Sequence, residues 1–285
     1  MQKRYFELAG IRFLIQVPDG ILWPESRRLL NFRAEPGPCD LECILSVVDQ
    51  LDPPVGQLCH HEPSTNVYIS PGVHLRYKGA VGDRPNGGYM RIFRQGNRSE
   101  IQILASAIPK GLSSEVTISC MEAVHHITAA GGFLLHASWI RYRDKAILFT
   151  APSGVGKSTQ AALWEQLRGA ELINGDRAAV FPTQDGVEVR GIPFCGTSGV
   201  SKHVTLPLAA VVCLAQAPET TIRPLTGAKA FRQLWEGCCI NTWNQEDMER
   251  CAQAVSDTVS QVPIFYLACT PDESAVLALE KEGVF

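Results

Sequence analysis

The chain has no apolar run long enough to cross a bilayer. Its longest nearly uncharged stretch, Leu206 to Ala215, falls short of the roughly 20 residues a spanning helix needs. The first residues, Met1-Gln-Lys-Arg-Tyr-Phe-Glu, lack the charged-then-apolar order of a signal peptide, so a soluble, cytoplasmic protein with no membrane association is expected. There is no excess of positive charge either: the formal net charge is -3, which leaves a nucleic-acid partner without electrostatic support. Ten cysteines are diluted through 285 residues with no paired C-x-x-C knuckles, so they read as reduced and mostly buried thiols. In Cys59-His60-His61 and Cys238-Cys239 adjacent side chains project in diverging directions, and no structural zinc site is expected from them. Internal repeats and low-complexity tracts are missing. So are a Leu-Ser-Gly-Gly signature and a strand ending in Asp-Glu, which disfavours a transporter-type ATPase. What remains, 45% hydrophobic and 19% charged residues, is enough to bury a core in one large domain or two of ordinary size.

One stretch organises the chain. Ala146 to Thr150 is a short apolar strand, and Ala151-Pro-Ser-Gly-Val-Gly-Lys-Ser158 follows the pattern G-x-x-x-x-G-K-[S/T] with Ala in the first place. A strand, a glycine-bearing loop and a helix start aim several backbone N–H groups at one point, where a phosphate chain can sit. Ser153, Gly154, Val155, Gly156, Lys157, Ser158 and Thr159 are therefore the candidate nucleotide-binding residues. Lys157 is placed to reach the β- and γ-phosphates and Ser158 to bind Mg²⁺.

Around it, residues 131–285 read as a mixed-sheet α/β phosphate-loop domain and residues 1–130 as a smaller α+β domain for substrate docking or homo-oligomerisation. In the first part, Tyr5–Val17, Leu29–Phe32, Val67–Ile69, Val73–Tyr77, Tyr89–Arg94 and Glu100–Leu104 are expected to be extended, Leu41–Leu51 is open between strand and helix, and Ser113–Ala130 reads as one helix. In the second, Phe133–Ile140 and Ala146–Thr150 are joined too tightly for anything but antiparallel pairing. A helix to Arg168 stops at Gly169, and the strand Glu171–Asn174 ends at Gly175-Asp176. An acidic residue at the carboxyl end of that strand is where Mg²⁺-bound phosphates need a ligand or a base, which makes Asp176 the leading catalytic candidate. Residues 194–203 read either as a glycine-bearing loop long enough to close over the site, with Lys202 as a candidate charge, or as a plain surface loop, and Thr270 is expected to cap the last helix with Pro271 in its first position.

Leu135-His136-Ala137 one hairpin before the loop, Ser153-Gly-Val-Gly-Lys-Ser158, Leu172-Ile-Asn-Gly-Asp176 after the helix and, more weakly, Val189-Arg-Gly-Ile192 together resemble the catalytic domain of HPr kinase/phosphorylase and its relatives in the phosphoenolpyruvate carboxykinase-like group. The resemblance covers roughly residues 131–270 and implies ATP and Mg²⁺ at Ser153 to Ser158. It also implies that His136 lies near the phosphates or the acceptor, and that Asp176 is metal ligand or base. The chain departs from the family at Gly175, where a second acidic residue is usual. The implied activity is transfer of a γ-phosphoryl group to a Ser or Thr hydroxyl of a peptide or small protein, or to a small molecule; the alternative is a nucleotide-binding pseudokinase or switch whose N-terminal half binds a partner.

Overall fold

The structure, a computed structural model, describes residues 1–79 and 88–283. The chain divides into two units, Met1–Ala123 and Val124–Phe285. Among the described residues no helix is long and apolar enough to cross a membrane.

In the first unit, β1 (Gln2–Leu8) and β2 (Ile11–Val17) form a hairpin rather than the single segment the pattern suggested. The turn falls at Ala9 and Gly10, both with positive φ, the backbone that a two-residue hairpin needs. Ile11, Phe13, Ile15 and Val17 alternate into the core. Leu29–Phe32, expected to be extended, instead follows a helical turn, α1 (Arg27–Leu30). Buried Leu29 and Phe32 stand three residues apart, a spacing that one helical turn brings to the same side. Beyond β3 (Leu41–Val48) come β4 (Gln57–Glu62), which the sequence pattern did not reveal, β5 (Thr65–Ser70), β6 (Val73–Lys78), β7 (Met90–Gln95) and β8 (Arg98–Leu104). They form one mixed sheet in the order β1-β2-β3-β8-β7-β6-β5-β4, with β3 parallel to both neighbours.

The expected helix Ser113–Ala130 is two helices, α2 (Ser114–Cys120) and α3 (Ala123–Ala129). Ser113 caps α2 by accepting the Val116 N–H at 3.2 Å. The chain then turns at Glu122, φ 41, and the buried Glu122 carboxylate pairs with Arg94 at 3.2 Å and Arg76 at 3.6 Å.

The second unit is built on two long strands, β9 (Phe133–Tyr142) and β14 (Thr205–Gln216). The second half of β9 pairs antiparallel with β10 (Lys145–Thr150), as the short connection required, and on its other side with β11 (Glu171–Asn174). β10 lies parallel to β14, which lies parallel to β17 (Ile264–Cys269), and β15 (Thr221–Leu225) forms the antiparallel edge. The first halves of β9 and β14 bend away to hold β12 (Arg177–Thr183) and β13 (Gly186–Arg190), with the two-residue β16 (Cys238–Cys239) beside β9. Both sheets of the chain are therefore mixed.

Between Lys145 and Thr150, the middle of β10, Ala146 to Phe149, is apolar because both its faces are covered. Ile147 and Phe149 pack under α4 (Lys157–Arg168) and α7 (Glu273–Glu280), while Ala146 and Leu148 face α5 (Gly227–Gly237) and α6 (Gln245–Gln261). Helix α4 ends at Gly169 in the left-handed conformation, as its sequence predicts. The cap of α7 is Asp272, not Thr270: its carboxylate accepts the Ser274 N–H at 2.8 Å and Pro271 stays outside the helix.

Candidate functional site

The loop between β10 and α4 turns on Gly154 (φ 82) and Gly156 (φ 128), a backbone that residues with a Cβ rarely adopt. Helix α4 starts at Lys157 with no side-chain cap, so the N–H groups of its first turn are left to a ligand or solvent. Ser153, Gly154, Ser158 and Thr159 are exposed around this start, and Val155 and Gly156 are half-buried. Lys157 is buried, and its ammonium donates back across the loop to the Ala151 carbonyl at 2.9 Å and the Pro152 carbonyl at 3.4 Å. Burial pulls its pKa below the usual lysine value; Asp176 opposes this and Arg177 adds to it.

Asp176 reaches the same region from the end of β11. Asn174, fully buried, builds the turn that presents it: its side-chain oxygen accepts the N–H groups of Asp176 at 2.9 Å and Arg177 at 3.0 Å, and its amide donates to Ile192 O at 2.9 Å. The Asp176 carbonyl in turn accepts the Ala137 N–H at 3.0 Å, which ties the turn between β11 and β12 to β9. One carboxylate oxygen of Asp176 lies 3.2 Å from His136 Nε2 and the other accepts from Arg177 Nε at 3.0 Å. Arg177 and His136 are direct partners in the β12–β9 register, and Arg177 also contacts the Cys239 sulfur. Desolvation lowers the His136 pKa, the charges of Lys157 and Arg177 lower it further, and Asp176 works the other way. A cavity of about 330 Å³ opens beside these groups, lined by His136, Thr150, Pro152, Arg177, Glu236 and Cys239 among others.

The loop after β13 packs onto Asp176. Gly196 lies so close that a Cβ there would stand 3.0 Å from the Asp176 side chain, and a Cβ at Gly175 would overlap the Ser198 hydroxyl. Ser198 is fixed by donating to the Cys195 carbonyl at 2.6 Å. Lys202, offered as a charge for phosphate, is engaged elsewhere: it pairs with Glu171 at 2.5 Å, and Arg141 contacts the same carboxylate.

The structure thus brings Asp176 and His136 into contact and sets Lys157 within their electrostatic reach. Sequence reasoning missed Asn174, Arg177 and the Cys239 contact. An Asn two residues before an Asp, with Gly between, is a local turn signal that points to Asn174. Arg177 is found only through strand register. Among the described residues no group of three or more His, Cys, Asp or Glu side chains is arranged to hold a metal.

Fold and site together define a mixed α/β domain in which strand β10 feeds a glycine-bearing turn into α4, with a His–Asp–Arg cluster on the neighbouring strands. Residues 110–271 match the family model described as SynChlorMet cassette protein ScmC, and the chain belongs to that family. No curated protein matches it. Among solved structures, the HPr(Ser) kinase/phosphatase from Coxiella burnetii is similar, at 13% identity and a TM-score of 0.29 over 53% of this chain and 92% of that one.

Proposed function

We propose that the chain is an ATP- and Mg²⁺-dependent phosphotransferase that moves the γ-phosphoryl group to a hydroxyl, that of a Ser or Thr in a peptide or small protein or of a small molecule. The observation that carries this reading is the meeting of a phosphate-loop turn with an ionic cluster, Lys157 behind the loop and Asp176 with His136 beside a cavity large enough for an acceptor. Phosphoryl transfer asks a protein mainly for position and for neutralisation of oxygen charge, and loop amides, Lys157 and Arg177 offer both.

Ser158 and Asp176 offer a hydroxyl and a carboxylate oxygen, the hard donors that suit Mg²⁺ with its other positions left to water and phosphate. They would hold the ion, whose chemistry is to neutralise charge on the transferring group. Asp176 takes the proton of the acceptor hydroxyl as that oxygen bonds to the γ-phosphorus and the bond to the β-phosphate oxygen breaks, leaving ADP. His136, kept neutral by its surroundings, orients the carboxylate through Nε2.

The second reading, a nucleotide-binding switch that does not transfer, is favoured by one specific feature. Ser198 fills the space a side chain at 175 would need, so Asp176 stands without the neighbouring acid and has both oxygens engaged. Incubation with γ-labelled ATP, Mg²⁺ and a panel of peptide and lysate acceptors separates the two. Transfer by the wild type that falls by orders of magnitude in Asp176→Asn is expected. Stoichiometric ATP binding with no labelled product supports the switch.

A further inference from the structure

The cavity beside Arg177 and His136 has a sulfur-rich wall, and we infer that Cys238 and Cys251 form a reversible disulfide there, a redox switch that loosens the cluster around Asp176. The inference stands on packing and thiol chemistry and does not depend on the phosphotransferase reading. Cys213, Cys238 and Cys239 line the cavity, and Cys251, 1% exposed on α6, belongs to the core cluster against which Cys238 packs. Cys238 follows the last turn of α5, where its sulfur lies 3.2 Å from the Leu234 carbonyl oxygen and in hydrogen-bond contact with the Cys251 sulfur. Two sulfurs already in contact can bond with little backbone movement.

The four thiols differ in chemistry. Burial pushes Cys213 up to about 12 and holds Cys239 above the usual thiol range, although Arg177 opposes this at Cys239. Of the four, only Cys251 is held below its ordinary value, chiefly by the hydrogen bond with Cys238, and the same bond raises Cys238. A pair that shares a proton is where thiolate character develops, and the cavity brings a small oxidant such as hydrogen peroxide to Cys238. The Cys238 sulfur attacks the O–O bond, keeps one oxygen as a sulfenic acid, and the other leaves with the thiol proton as water. The Cys251 sulfur then displaces that hydroxyl, which takes the Cys251 proton and leaves as a second water. Two thiols have lost two electrons to one peroxide, and a dithiol reductant reverses the bond. Cys239 carries the change to the site: its sulfur contacts Arg177, which donates to Asp176 at 3.0 Å. Cys238 and Cys239 pair with Leu135 and Leu134, next to His136 on β9. Drawing Cys238 onto α6 pulls β16 against these contacts. Gly237 leaves little slack, since a Cβ there would stand 2.8 Å from Thr150 Oγ1 and 3.0 Å from Leu135.

The test treats the full chain with hydrogen peroxide, alkylates it with N-ethylmaleimide for timed intervals, and maps tryptic peptides by mass spectrometry without reduction. Cleavage after Arg232, Arg250 and Lys281 puts Cys238 and Cys251 on separate peptides, 233–250 and 251–281. The expected product is these two peptides joined through Cys238 and Cys251, separated again by dithiothreitol, absent in Cys251→Ser and still formed in Cys239→Ser. In the linked chain Cys239 is expected to alkylate about tenfold faster than in the reduced chain, the weight of one lost hydrogen bond to a charged group. A bond from Cys238 to Cys239 or Cys269, a link that vanishes in Cys239→Ser, or oxidation of Cys238 with no link overturns the pairing. A linked chain in which Cys239 alkylates no faster overturns the switch. If Cys251→Ser does not fold, fragment ions that place the bond in the wild-type peptides decide the pairing alone.

Discussion

Asp176 is gripped at both oxygens, by His136 and by Arg177, and its backbone by Asn174. Such a residue is poised but constrained, and its neighbours set its chemistry. His136 carries a testable consequence. Burial and two nearby cations hold its folded pKa below the ordinary 6.5, so as pH falls through that window the unfolded chain binds more protons than the folded one. The stability His136 allows is complete above 6.5 and declines below it. Thermal melts taken from about pH 7.5 to about pH 5.5 should show a fall in Tm on the acid side that His136→Gln makes shallower. Matching slopes in the two proteins would remove His136 as the cause. Gly175 carries the other. Because Ser198 occupies the space, Gly175→Asp should destabilise by about 1–3 kcal/mol, the usual cost of overpacking, and adding Ser198→Gly should recover most of that loss. An unaltered Tm in the single variant would mean that the loop does not rest there.

At the scale of elements, the β10–loop–α4 run was the most legible part of the chain. Ile147 to Phe149 make an uninterrupted apolar strand, glycines stand where φ is positive, and Gly169 ends the helix. Local chemistry alone dictates each of these. Less legible were the features that depend on distant partners. Leu29 and Phe32 look extended until their shared burial forces a turn. Glu122 breaks an otherwise continuous helical pattern at the point where its carboxylate meets Arg94 and Arg76. Arg177 enters the site through a β12–β9 register that no local pattern encodes, and the pairing of Lys202 with Glu171, 31 residues away, is equally invisible locally. The helix that carries Lys157 and Ser158 is anchored by Trp164, fully buried with Ile147, Phe149 and Val212 in one cluster. Trp164→Ala should cost about 3–5 kcal/mol in denaturant unfolding and weaken nucleotide binding with it. A loss under 1 kcal/mol, the range of an exposed position, would contradict that packing.

Across the whole molecule, two units meet different demands. Met1–Ala123 is a sheet-based unit in which Glu122 is ion-paired with Arg94 and Arg76; its reading as a docking or oligomerisation module stays a proposal. In Val124–Phe285 the long strand β9 pairs directly with β10 along one half and with β12 along the other, and this sets His136 one strand away from the strand that feeds the loop of Ser153 to Thr159. The ScmC family match spans most of this unit and reaches into the first. Everything functional depends on the loop of Ser153 to Thr159 holding a nucleotide's phosphates. The direct measurement is a calorimetric titration of the full chain with ATP and Mg²⁺, run in parallel on Lys157→Ala. A saturable heat in the wild type that disappears in the variant is the predicted result; no heat in the wild type, or the same curve in both, would contradict it.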